Sequence, residues 1–139
     1  MAKDKYHEQV KTALINEGWT ITHDPYKIKV GKRTAFIDLG AERADVIAAE
    51  KGIEKIAVEV KSFLGHSDLN EFEDALGQFL IYYVALEEQE PERILYLGVP
   101  FTYYHRFFKD PFFIKLAARF DIRFIVYDEI NATIVEWKK

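Results

Sequence analysis

The chain has 139 residues, 49% of them hydrophobic, enough for one compact domain (residues 1–139) with a real core. No run of 18 apolar residues is present, so no membrane-spanning helix is expected. The opening "MAKDKYHEQV" lacks the apolar stretch of a secretory signal, and the absence of cysteine rules out disulfides and thiolate metal sites. These features fit a cytoplasmic protein, and the net charge of −4 argues against a protein that coats DNA non-specifically.

From Lys5 to Glu17 the apolar residues Tyr6, Val10, Ala13 and Leu14 recur at helical spacing, and Gly18 ends the helix. "WTITHDPYKIKVG" alternates as an extended segment, and "YKIKVGKR", Tyr26 to Arg33, which overlaps its end, carries four basic residues and no acid. "TAFIDLG" reads as a strand. "ADVIAAE" and "GIEKIAVEVKSF" read as two strands joined around Lys51 and Gly52. Asp68 and Glu71 have capping-box spacing ahead of a long helix, "LNEFEDALGQFLIYYVAL". "RILYLGVP" is a short strand stopped by Pro100, "DPFFIKLAARFD" a helix with Pro111 near its start, and "RFIVYDE" and "TIVEWK" closing strands with a turn near Asn131. The order predicts an α/β protein with a mixed central sheet flanked by helices on both faces.

The segment "IAVEVKSF" is the anomaly. Alternation puts Glu59 and Lys61 on one face of a strand whose apolar run argues for a central, covered position. Charges there are usually paired, metal-bound or catalytic. With a turn centred near Gly52, Asp45 lies opposite Glu59, and two carboxylates about 5 Å apart repel by about 3 kcal/mol at an effective dielectric near 20. A divalent cation relieves that repulsion, and all-oxygen ligands suit Mg²⁺ or Mn²⁺. Asp45 and Glu59 as metal ligands with Lys61 beside them form the set that phosphodiester hydrolysis needs. Asp38 and Glu42 in "IDLGAE" are rival carboxylates, and a different hairpin register makes Asp38 the ligand. The plainer alternative is a salt-bridged surface hairpin joining Asp45 to Lys61.

"ADV" at 44–46 followed by "EVK" at 59–61 resembles the signature of the PD-(D/E)xK nuclease superfamily, whose restriction-endonuclease-like fold has the predicted element order. Gln78 and Tyr82 on the long helix resemble the Q-x-x-x-Y element of some branches, and residues four apart share one helix face. Glu8 on the first helix matches an acidic residue that many branches contribute there. The catalytic set implied is therefore Glu8, Asp45, Glu59, Lys61 and Gln78, with Tyr82 either beside it or in the core.

Longer stretches, "YHEQVKTALINEGWTITHDPY", "IDLGAE", "KIAVEVKSF" and "ALGQFLIY", are similar nearly end to end to the XisH family of controlling factors for excision of the fdxN DNA element. That resemblance implies a role in programmed DNA excision alongside a site-specific recombinase and a small XisI-like companion. Two roles are open: an endonuclease-like protein that cuts DNA with Mg²⁺, its basic 26–33 segment on phosphates, or a non-catalytic accessory factor. Between Lys61 and Arg93 there are eight acids and no Lys or Arg, which reads as solvated surface or as a docking face for a basic partner.

Other signals are weaker. His7, His23, His66 and His105 lack zinc-site spacing, Ser62 and Ser67 lack a nucleophile elbow, and the glycines form no phosphate loop. The cluster "FTYYHRFF" at 101–108 reads as core with a homodimer contact, base stacking being the alternative.

Overall fold

The structure, a computed structural model, describes residues 4–45, 52–65 and 67–139. Its elements are α1 (His7–Asn16), β1 (Thr20–His23), β2 (Tyr26–Val30), β3 (Arg33–Ile37), β4 (Leu39–Asp45), β5 (Gly52–Val60), α2 (Asp68–Gln89), β6 (Arg93–Pro100), α3 (Phe101–Phe107), α4 (Pro111–Arg119), β7 (Phe124–Asp128) and β8 (Thr133–Lys138). Six strands form one mixed sheet in the order β1-β4-β5-β6-β7-β8, while β2 and β3 form a separate two-stranded hairpin. The α/β architecture with a mixed sheet follows the sequence reading.

Strands β5, β6 and β7 run parallel, and the remaining pairings in the large sheet are antiparallel. Parallel neighbours need crossovers, here α2 and then α3–α4. Two successive crossovers of the same hand, stepping in the same direction across a sheet, land on the same face. On that face Phe72, Phe79, Leu95, Leu97, Phe124 and Val126 form a continuous core, which also takes in Tyr26, Ile28 and Ile37 of the hairpin. The opposite face is covered by α1, whose Val10 and Leu14 pack on Leu39, Val58, Val60, Ile125 and Tyr127. Gly18 adopts a φ of 90°, the left-handed conformation that ends α1 after its last turn.

Several local expectations need correction. "TAFIDLG" is two strands in two different sheets, broken at Asp38. The strand expected over "ADVIAAE" forms the end of β4 as far as Asp45, and 46–51 lie outside the described residues. Ser67 caps α2, its hydroxyl accepting the Asn70 N–H at 3.2 Å, so Asp68 is the first helical residue rather than half of a capping box. The expected core role of the aromatic cluster at 101–108 holds: 101–107 form α3, and Tyr103 within it and Phe108 at its C-cap join the α2-side core.

A buried arginine ties the hairpin, α2 and the sheet together. Arg93, 4% exposed, opens β6 and donates to the Ile56 carbonyl at 2.8 Å and to both carboxylate oxygens of Glu90 at 3.0 and 3.1 Å. The Tyr26 hydroxyl of β2 donates to the same carboxylate, and the Arg93 guanidinium lies over the Tyr26 ring. Hydrogen bonds from Arg93 outweigh burial and hold the Glu90 carboxyl down at about 2.

A carboxyl depressed in the folded state contributes stability that is present above its unfolded value, near 4.5, and is lost as the pH falls towards 2. Glu90→Gln should therefore cost about 1–3 kcal/mol at neutral pH in urea denaturation, because the buried Arg93 is left with only the longer contact to Glu42 as counter-charge. The gap between the two proteins should narrow as the pH falls below 4.5. A pH-independent gap would show that Glu90 acts by packing and not by charge.

Candidate active site

The register of β4 against β5 decides which carboxylate meets Glu59. Leu39 pairs with Val58 and Asp45 with Gly52. One further step along that register sets Asp38, not Asp45, opposite Glu59. Asp45 sits seven residues away along the strand, roughly 23 Å at the usual rise. The expected Asp45–Glu59 pairing is thereby overturned, because the observed register is offset by seven residues from one centred near Gly52. Glu42 also drops out, since it pairs with Lys55 and reaches Arg93 at 3.6 Å.

Alternation along β5 works as expected. Ile56, Val58 and Val60 face α1, while Ala57 packs with the α2-side core and Glu59 shares its side of the strand. Glu59 is 5% exposed. Asp38 sits where the chain leaves the small sheet for the large one, and the two acids interlock there through backbone donors. The Val60 N–H donates to Asp38 Oδ2 at 2.7 Å, and the Asp38 N–H donates to Glu59 Oε1 at 3.2 Å. Lys61 lies just past the strand with its Nζ 3.7 Å from Glu59 Oε2.

Burial, and then the charge of Asp38, push the Glu59 carboxyl up to about 8 in spite of Lys61. Burial raises the Asp38 carboxyl as well, opposed by the Val60 N–H, by Glu59 and by the positive charge of His7 and Lys61. The pair therefore holds a proton near neutral pH, with Glu59 its favoured site.

Helix α2 supplies the far wall. Tyr82 is buried, and burial together with the Glu59 and Asp38 charges drives its hydroxyl up to about 12. Tyr82 thus belongs both to the core and to the surroundings of the acid pair. Gln78, one turn earlier on the same face, has its Oε1 buried with no hydrogen-bond partner among the described residues.

Helix α1 presents His7 to this region rather than Glu8. His7 is buried and Glu8 exposed, with Lys11 within reach of its charge. His7 Nε2 is 2.7 Å from Asp24 Oδ1, and Lys11 Nζ donates to Asp24 Oδ2 at 2.8 Å. Burial works to raise the Asp24 carboxyl, but the Lys11 and His7 hydrogen bonds together hold it below its ordinary value. The other ring nitrogen of His7, Nδ1, is buried without a partner among the described residues. Asp4 anchors the start of this segment, its Oδ2 accepting the Ser62 N–H at 3.0 Å. The His7–Asp24 and Asp4–Ser62 contacts carried no sequence signal, since they join residues 17 and 58 positions apart.

The structure therefore brings together Asp38, Glu59 and Lys61, with Tyr82 and Gln78 on the facing helix and His7 on the flank, and it separates Asp45 from them. The fold and this arrangement define an α/β protein with an acid pair and an ammonium group at the end of a mixed sheet. The chain belongs to the XisH family, matching the family described as XisH protein over residues 1–135. It is 42% identical to an XisH family protein of Nostoc punctiforme PCC 73102, whose crystal structure superposes with a TM-score of 0.85 over 98% of this chain and 100% of that one. It is 43% identical to the fdxN element excision controlling factor protein of Anabaena variabilis, with a TM-score of 0.86 over 96% of this chain and 98% of that one. No curated protein matches the chain.

An acid whose folded-state pKa is raised weakens the fold as the pH climbs from its unfolded value to its folded one, here from about 4.5 to about 8. Glu59→Gln keeps the shape and removes the ionisation. Its melting temperature should match that of the unsubstituted protein near pH 4 and exceed it at pH 8, by the equivalent of about 1–3 kcal/mol. A variant less stable at pH 8 than the parent would show that Glu59 is held as a paired carboxylate.

Proposed function

We propose that the chain is an endonuclease-like protein of DNA excision, with Asp38, Glu59 and Lys61 as a PD-(D/E)xK-type centre. One observation carries the reading: a buried and a half-buried carboxylate are held together beside a lysine at the end of a central strand, where neutral amides could accept the same backbone hydrogen bonds. The element order and the E-x-K spacing support the same superfamily, as does the kinship to a protein named for control of fdxN element excision.

The residues fit a hard divalent cation. Asp38 and Glu59 are oxygen donors that repel each other when both are ionised, and the orphaned Gln78 Oε1 is an uncharged oxygen donor on the facing helix. No cluster of three His, Cys, Asp or Glu ligands exists among the described residues. Mg²⁺ often binds through one or two carboxylates, keeping waters and taking substrate phosphate oxygens. Bound there, Mg²⁺ or Mn²⁺ would polarise the phosphate and favour ionisation of water at neutral pH.

Each protein group then has a definite part. Asp38 and Glu59 supply the negative charge that holds the ion, and cation binding releases the proton that Glu59 otherwise keeps. Lys61 places a positive charge where charge builds on the phosphate oxygens during hydrolysis. Gln78 orients a water or a phosphate through its amide, and Tyr82 closes the site from the core side. Glu8 lies outside this set on exposure, and His7 takes its place on α1. The exposed Lys27, Lys29, Lys32 and Arg33 of the hairpin contact phosphates flanking the site, since Ile37 of that hairpin directly precedes Asp38.

A second reading is favoured by the exposed acidic clusters at the two ends of α2, Glu73 with Asp74 and Glu87 with Glu88. On that reading the same fold is a non-catalytic accessory scaffold, docking a site-specific recombinase or an XisI-like companion during excision.

Isothermal titration of Mn²⁺ separates the readings at the level of the site. Weak binding is expected in the parent protein, with none in Asp38→Asn or Glu59→Ala and unchanged binding in Asp45→Asn. Lys61→Ala should keep the metal and lose Mg²⁺-dependent cleavage of DNA by at least tenfold. Metal binding without cleavage of any DNA form favours the accessory role, and metal binding that survives Glu59→Ala removes the site assignment.

A further inference from the structure

The outward face of α2 is apolar where solvent exposure would favour polar side chains. Leu80, Ile81 and Val84 are 41%, 51% and 54% exposed, and they lie at i+3, i+4 and i+7 from Gly77 on one stripe of the helix. Gly77 sits in the helix interior, where glycine is the poorest ordinary helix former. A Cβ there would meet nothing within 4 Å, so packing within the described residues does not require the glycine. A bare backbone at the head of an exposed apolar stripe is what close approach of another helix needs.

The ends of the stripe are acidic. Glu73 and Asp74 lie one turn before it and Glu87 and Glu88 one turn after, all exposed, and no Lys or Arg occurs between Lys61 and Arg93. In an antiparallel pairing of two copies the acids at 73 and 74 would face those at 87 and 88, two against two at each end. In a parallel pairing each acidic cluster would face itself. Like-charge juxtaposition opposes self-association in either orientation. A stripe of three side chains is also small beside the roughly 20–30 residues a side of a standard stable interface.

We propose that this face of α2 docks a single amphipathic helix of another protein, with a small-residue apolar stripe and Lys or Arg at both ends. The stripe faces away from the buried side of α2 formed by Phe72, Phe79 and Leu86, with Gln78 at its margin, and the inference rests on that exposure and not on whether the carboxylate site cuts DNA.

The probe is a synthetic helical peptide with an Ala/Leu stripe flanked by lysines, its binding followed by fluorescence anisotropy. It should bind the unsubstituted protein and weaken at least tenfold in Ile81→Asp, in Val84→Asp and in the double change Glu87→Lys/Glu88→Lys. A peptide with the same stripe but glutamate flanks should bind at least tenfold more weakly. All three variants alter exposed side chains and should keep the parent's circular dichroism. Gly77→Ala should raise the melting temperature by about 2–4 °C, as a helix glycine without an internal role predicts. Peptide affinity indifferent to Ile81→Asp and Val84→Asp would overturn the proposal. So would sedimentation showing a dimer of the unsubstituted protein that Ile81→Asp dissolves, because the occupant would then be a second copy of this chain.

Discussion

The contact between Asp38 and Glu59 is the constraint around which the rest is arranged. At Asp38 the chain passes from the two-stranded hairpin to the six-stranded sheet, and a chain changing sheets leaves backbone donors without ladder partners. Here the donors are satisfied by the two carboxylates themselves, Val60 N–H by Asp38 and Asp38 N–H by Glu59. The geometry that joins the two sheets is therefore the geometry that brings a half-buried acid, Asp38, against a buried one, Glu59. Such a junction could be built from Asn and Gln with the same hydrogen bonds and no charge. That acids stand there instead is the strongest structural reason to regard the junction as a site.

The flanking elements hold this junction from three directions. Asp4 ties the start of the chain to Ser62, which sets α1 over the end of β5 and turns His7 inward towards Asp24. Tyr127 of β7 donates its hydroxyl to the Lys61 carbonyl at 2.8 Å, and the Lys61 N–H donates to the Gly98 carbonyl at 3.0 Å. The backbone of Lys61 is thus fixed on both sides while its side chain reaches back to Glu59. Further along, Arg93 and Glu90 clamp the hairpin to α2 and to the sheet, so the segment leading into Asp38 cannot drift from the strand it faces.

What the sequence makes legible follows from how local each feature is. Glu59 and Lys61 are readable because strand alternation is a two-residue property, and β6 is readable because "RILYLGVP" ends at a proline that cannot continue it. The partner of Glu59 depends on register, which a hairpin sets through its turn, and the loop between β4 and β5 carries no Asn-Gly or Asp-Gly signal to centre it. A turn centred a few residues away exchanges Asp45 for Asp38. Helix α3 is hidden for another reason: "FTYYHRF" is dominated by aromatics that favour strands in isolation, and tertiary packing of Tyr103 and Phe108 overrides that preference. The His7–Asp24 pair is illegible altogether, since only the fold brings residues 7 and 24 together.

The placement of charge bears on how an acidic protein could work on a polyanion. The four basic residues of the hairpin and the acids of α2 belong to adjoining elements, for Gln89 of α2 bonds both the N–H and the carbonyl of Lys29. A phosphate backbone following the hairpin would meet positive charge up to the carboxylate junction, and it would be repelled if it strayed onto the outer face of α2. Net charge averages over these two surfaces and so understates the contrast between them. Because the repulsive surface is also the one with exposed apolar side chains, a cationic protein helix seated there would cover both liabilities at once. It would mask the apolar stripe from water and offset the negative field beside the proposed DNA path. On the two proposals taken together, a partner on α2 would lower the repulsion that a phosphate backbone meets on its way to the acid pair.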